Sequence, residues 1–166
     1  MLPRTYEGQA CSIARTLEVL GERWTLLVLR EAFWRVRRFE DFQRNLGIAR
    51  NVLTDRLGRL VDEGILRRER YQDRPARFEY RLTDKGLALW PVMMTLMQFG
   101  DRYYAGDEGP PVIVRHRDCG GEVTPHLTCA KCGAELGARD VIAERGPGAR
   151  DAGCGLAPAA REAAAA

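Results

Sequence analysis

Apolar positions recur at helical spacing through the first half of the chain, then switch to alternation. Between Cys11 and Leu20, the residues Ile13, Ala14, Leu17, Val19 and Leu20 suit a short helix that Gly21 would stop. Trp24 to Phe33 is apolar nearly all round, which predicts a helix buried on most sides. "RRFEDFQRNLG" places Phe39, Phe42 and Leu46 at helical spacing, with Gly47 closing the segment. "GIARNVLTDRLGRLVDEGIL" follows as a fourth helix of about four turns ended by Gly64. At 100° per residue, Leu53, Leu57, Leu60 and Val61 fall within about 100° of one another and form a core stripe. Asn51, Asp55 and Gly58 lie opposite, with Arg50 and Thr54 on one shoulder and Arg59 on the other.

After Gly64 the period becomes that of a strand. "ILRRERYQ" and "FEYRLT" flank the tight basic link "DRPAR", which predicts a β-hairpin. Thr83 or Asp84 then caps a last helix running to about Tyr104; Pro91 inside it predicts a kink or a late start. "GDEGPP" is a linker, residues 109–143 a small β-rich appendage, and 144–166 a low-complexity tail expected to be disordered. Residues 1–10 read as a loose leader. The expected fold is mainly α with a β-hairpin wing (α+β): a winged helix-turn-helix over residues 11–108, plus the appendage.

Composition changes this picture little. Of the 166 residues, 45% are hydrophobic and 30% charged, as in an ordinary globular protein. The longest apolar run, Trp90 to Phe99, is about half a membrane span, and the N-terminus lacks an apolar core of signal-peptide length, so a cytoplasmic protein without membrane association is expected. The net charge is only +3, but residues 35–81 hold 13 arginines against 8 acids. GC-rich coding also enriches arginine, so the clustering carries the argument.

That clustering coincides with the helix-turn-helix. Recognition helices read bases with their N-terminal half. Asn can bond adenine, Arg guanine, and Thr a phosphate or the thymine methyl. Arg50, Asn51 and Thr54 are therefore the expected base readers, and Arg59 a phosphate contact. Arg56, nearer the core stripe, either reaches a phosphate or ties the helix down, and Arg74 and Arg77 place positive charge on the wing. The alternative for the polar face is simple solvation. A cysteine- or zinc-based redox module, or a winged-helix protein-interaction module, remains a second functional class. The sequence holds no nucleotide-binding glycine loop, nucleophile elbow or His/carboxylate pairing, and no enzyme is expected.

"CSIARTLEVLGERWTLLVLREAF", "RFEDFQRNLGIARNVLTDRLGRLVDEGIL" and "YQDRPARFEYRLTDKG" resemble, in order, the HxlR-type winged helix-turn-helix regulators of bacteria, from Cys11 to about Glu108. The resemblance implies a homodimeric transcriptional regulator on a roughly palindromic double-stranded operator. It places the dimer interface on the first and last helices, here Ser12–Leu20 and Leu87–Tyr104. Trp90, Met93, Met94, Met97, Phe99 and Tyr103 independently offer more apolar surface than one wing domain needs.

Five cysteines, an odd number, do not suggest a disulfide framework. Cys11 opens the first helix near Arg15, where a helix N-terminus and a cation favour thiolate. It matches the family's N-terminal cysteine, which implies oxidant or electrophile sensing; a small buried hydrophobe is the alternative. In "HRDCGGEVTPHLTCAKCG", His116-x-x-Cys119 and Cys129-x-x-Cys132 resemble two zinc knuckles, with His126 an alternative fourth ligand. Structural zinc is weighed there against a metal-free hairpin or a Cys129–Cys132 redox pair. No role is expected for Cys154, which lies in the tail.

Overall fold

The computed structural model describes residue 6 and residues 10–148; Cys154 and most of the expected leader and tail lie outside them. The order is α1 (Ser12–Leu20), α2 (Thr25–Phe33), α3 (Phe39–Leu46), α4 (Arg50–Asp62), β1 (Leu66–Gln72), β2 (Arg77–Leu82), α5 (Asp84–Leu87), α6 (Trp90–Tyr104), β3 (Val112–His116) and β4 (Val141–Arg145). Strands β1 and β2 form an antiparallel hairpin with Leu66 opposite Leu82, and β3 and β4 form a second with Val112 opposite Arg145. The first hairpin is the wing of a winged helix-turn-helix, and the second frames a small ribbon.

The winged domain closes on one core. Val28, Leu29, Phe42, Leu53, Leu57 and Leu60 are fully buried, each contributing about 1.5–3 kcal/mol through loss of apolar surface from water. The expected stripe of α4 is thus the face packed on the body, with Val61 at its edge. Phe42 meets Tyr80 of the wing edge-on, at 6.4 Å between ring centres. Beneath α3, Glu31 is buried at 2% exposure and is satisfied by Arg30 at 2.7 Å and by the Asn45 amide at 2.8 Å. A buried carboxylate is tolerated only with such donors, and this one joins α2 to α3.

Two expectations are sharpened and one is corrected. The proline acts through a late start. Thr83 Oγ1 accepts from the Gly86 amide to cap α5, the chain breaks at Ala88 and Leu89, and Pro91 sits in the first turn of α6. Proline needs no helical N–H donor there. Gly21 ends α1 at an ordinary φ of −74°; a Cβ there would lie 2.5 Å from the Leu17 carbonyl oxygen. The expected start of the tail at residue 144 is corrected, because Glu144 and Arg145 pair with Ile113 and Val112 in β4, while residues 149–166 of that tail lie outside the described residues. Backbone bonds from Gly146 to Pro111 and Gly148 to Pro110 continue the pairing beyond them.

The ribbon shares its core with the winged domain. Val112, Val114, Cys129, Leu136 and Val141 are buried together with Trp90 and Met94 of α6, and Phe33 and Trp34 pack at the edge. The Gln98 side chain of α6 donates to the Thr124 carbonyl at 3.0 Å. No described helix is long and apolar enough to cross a membrane.

Candidate nucleic-acid interface and metal cluster

Helices α3 and α4 are joined by Gly47–Ala49, with Gly47 left-handed at φ 61° and Ile48 pinned in the core. On α4, Arg50, Asn51, Thr54, Asp55 and Arg59 are exposed, back to back with the buried leucines. Arg50 stacks on the Phe39 ring, with its guanidinium carbon 4.9 Å from the ring centre. The Thr54 hydroxyl donates to the Arg50 carbonyl at 2.9 Å, which leaves its oxygen lone pairs free to accept. The N-cap residue of α4, Ala49, makes no side-chain cap bond, so the first-turn amides lack that partner.

Arg56 departs from this set. It is only 19% exposed, and its guanidinium bonds Glu22 and Asp55, both at 2.9 Å. Of its two expected roles, the tie is the one visible in the free protein: Arg56 holds α4 to Glu22, just beyond the end of α1. Glu22, 34 residues upstream, is the partner that spacing cannot reveal. Arg59 is half exposed and rests between the Glu18 carbonyl at 3.4 Å and Glu63 at 3.6 Å.

On the wing, Arg74 and Arg77 are exposed at the hairpin tip, as expected. The sequence alone pointed to only these two wing arginines, although Arg68 and Arg70 project from the same hairpin. Arg68 lies 3.6 Å over the Phe78 ring, and Arg70 bonds the Asp73 carbonyl at 3.0 Å. Arg38, at the start of α3, stacks on Tyr71 at 5.0 Å and links wing to helix-turn-helix. The run of charge in "LRRERYQ" was the available signal; which face each side chain would take was not.

Cys11 is the N-cap residue of α1, half-buried, and makes no side-chain cap bond. Its carbonyl accepts from the Arg15 amide at 3.1 Å.

The ribbon brings four candidate ligands together. The ligand atoms of His116, Cys119, Cys129 and Cys132 lie within 4.8 Å of one another. Cys119 Sγ is 3.3 Å from Cys129 Sγ and 3.6 Å from Cys132 Sγ; His116 Nδ1 is 3.2 Å from Cys119 Sγ and 3.4 Å from Cys132 Sγ. Zinc bonds of about 2.3 Å to sulfur and 2.0 Å to nitrogen would set tetrahedral ligand atoms roughly 3.5–3.8 Å apart. The cluster can therefore take a metal with little movement. His126, the alternative by spacing, is exposed and outside it.

The surrounding backbone is shaped to the cluster. Gly120 and Gly133, each following a second ligand, have φ of 69° and 73°, a region that favours glycine. A Cβ on Gly121 would stand 2.4 Å from Cys129 Sγ. His116 Nε2 faces Asp118 at 3.5 Å, the carboxylate–histidine arrangement that orients a metal-binding ring. Burial opposes ionisation of Cys129. The Cys132 and Lys131 amides and the neighbouring thiols Cys119 and Cys132 outweigh it, drawing the thiol down to about 6. The Gly121 amide favours the Cys119 thiolate, but the Cys129 thiol, burial and Cys132 together hold it above its ordinary value.

Comparison with known proteins agrees with this architecture. A family model described as HxlR-like helix-turn-helix matches residues 19–108. Rv3095, an uncharacterized HTH-type transcriptional regulator of Mycobacterium tuberculosis, is 50% identical over 147 residues, covering 89% of this chain and 92% of that relative. The crystal structure of PA1607, described as a candidate transcription factor, matches with a TM-score of 0.67 at 36% identity and covers 81% of this chain and 94% of its own. The redox regulator HypR, in its reduced form, matches with a TM-score of 0.52 at 30% identity, over 55% of this chain and 92% of HypR. With a helix-turn-helix, a hairpin wing and a family match across both, the chain belongs to the HxlR-like helix-turn-helix family of transcriptional regulators.

Proposed function

We propose that this regulator binds operator DNA as a homodimer in the cytoplasm, with α4 in the major groove and the wing on the flanking backbone. One observation carries the reading: the first half of α4 exposes Arg50, Asn51 and Thr54 while Leu53, Leu57 and Leu60 opposite are fully buried. The uncapped N-terminus of α4 adds the positive end of a helix dipole, suited to a phosphate. Arg59, Arg74 and Arg77 supply further phosphate contacts. The dimer is supported by apolar surface that none of the described residues covers: Ile13 is 71% exposed on α1, and Leu96, Phe99 and Tyr103 are 49%, 52% and 58% exposed on α6. A two-fold dimer would present two α4 helices to successive major grooves, about 34 Å apart.

Titration of a duplex from upstream of its own gene tests this. Sequence-preferential binding that weakens steeply with salt is expected; equal affinity for scrambled DNA at moderate salt would remove the reading.

His116, Cys119, Cys129 and Cys132 are proposed to hold structural zinc, because four protein ligands leave no open coordination position for catalysis. Metal analysis of the purified protein should find about one zinc per chain and a loss in Cys132→Ser. Metal-free wild type would remove the assignment.

The likeness to HypR favours a second element, a thiol response at Cys11. Diamide should weaken DNA binding in the wild type and not in Cys11→Ser. An unaffected wild type would dismiss it.

A further inference from the structure

The hydrophobic core of the ribbon is shared with α6. Its buried residues are completed by Trp90 and Met94, and its buried ligand Cys129, at 2% exposure, belongs to the same cluster. The metal ligands thus sit behind the packing that seats the ribbon on α6. The opposite side of α6 carries Leu96, Phe99 and Tyr103, the surface assigned above to the second copy. One helix connects the cysteine cluster to the dimer face. The ligands also differ in access: Cys129 is buried, Cys119 half-buried and Cys132 exposed.

We propose that the His116–Cys119–Cys129–Cys132 centre is an oxidant-releasable metal latch, which seats the ribbon on α6 when loaded and lowers operator affinity when emptied. This rests on the zinc assignment and on the dimer reading. The oxidant is a peroxide. The exposed Cys132 thiolate attacks one peroxide oxygen; the O–O bond breaks, an S–O bond forms, and the released hydroxide takes a proton to become water. The Cys119 thiolate, 3.6 Å away, then displaces the sulfenic oxygen, which leaves as a second water after protonation. An S–S bond has formed, two thiolates are oxidised by two electrons and one peroxide is reduced. Only His116 and Cys129 would then remain to hold a metal, and two ligands would not retain it. The ribbon loses its cross-link, and Trp90 and Met94 lose the surface that fixes α6.

The test uses full-length, zinc-loaded protein carrying Cys11→Ser and Cys154→Ser, so that only the three cluster thiols respond. Hydrogen peroxide is titrated while a chromogenic chelator reads free zinc and fluorescence anisotropy reads binding to the upstream duplex. The expected result is zinc release in step with at least a tenfold loss of affinity, a Cys119–Cys132 disulfide in the peptide map, and recovery of both signals with reductant and added zinc. Recovery separates a latch from irreversible unfolding. Zinc release at unchanged affinity overturns the latch and leaves the zinc assignment standing. Loss of affinity with zinc retained also overturns it. Protein that takes up no zinc overturns the assignment and the latch together.

Discussion

Asn51→Ala should lower operator affinity by about 1–3 kcal/mol per half-site, at least roughly tenfold for the dimer. The loss should fall on the cognate sequence and leave binding to scrambled DNA nearly unchanged. The Asn51 side chain faces solvent from the second position of α4, and the residues that hold the helix, Leu53 and Leu57, are untouched. Folding stability should therefore stay within about 0.5 kcal/mol of wild type, as for surface substitutions generally. The contrasting variant is Arg74→Ala with Arg77→Ala. Removing wing charge should weaken all sequences alike and flatten the salt dependence by about one unit for each phosphate no longer neutralised. Anisotropy titrations at several salt concentrations, with cognate and scrambled duplexes, separate the two behaviours. Equal losses on both duplexes for Asn51→Ala would remove that residue from base reading.

The largest stability effect is expected at Phe42. Its side chain is fully buried between α2, α4 and the wing, with Tyr80 against its edge. Phe42→Ala deletes the ring and leaves a cavity that three elements cannot close together, at a cost of about 3–5 kcal/mol. Domains of this size have about 5–15 kcal/mol in total, so a large share is lost. Urea denaturation should show the shift in midpoint with an unchanged slope. A cost below about 1 kcal/mol would mean that the wing and α3 are not held through this ring.

The winged domain was legible in the sequence because its determinants are local. Leu53, Leu57 and Leu60 repeat at the helical period and are all fully buried, and Phe78, Tyr80 and Leu82 alternate in a strand. Features set by distant pairs were not legible. Arg56 finds Glu22 across the domain, and no spacing rule selects that acid over Asp62 or Glu63. His116 and His126 both stand three residues from a cysteine, and only the hairpin geometry brings His116 to the cluster. Glu144 and Arg145 lie beside a glycine- and alanine-rich stretch, whose composition masked a strand held by pairing to β3. The apolar surplus of α6 was visible, but its division was not: Trp90 and Met94 serve the ribbon, while Phe99 and Tyr103 remain outside.

Trp90 turns this shared core into a built-in spectroscopic reporter. Its indole is 6% exposed, lies 5.9 Å from the Phe33 ring, and has an Nε1–H with no hydrogen-bond partner among the described residues. An indole in such dry surroundings emits at short wavelength, and water reaching its N–H moves the emission to the red. Separation of the ribbon from α6 would wet Trp90 and the neighbouring Trp34, whereas Trp24, packed on the core of the winged domain, would stay as it is. The protein's own fluorescence can therefore follow ribbon docking in real time, unlabelled and at micromolar concentration.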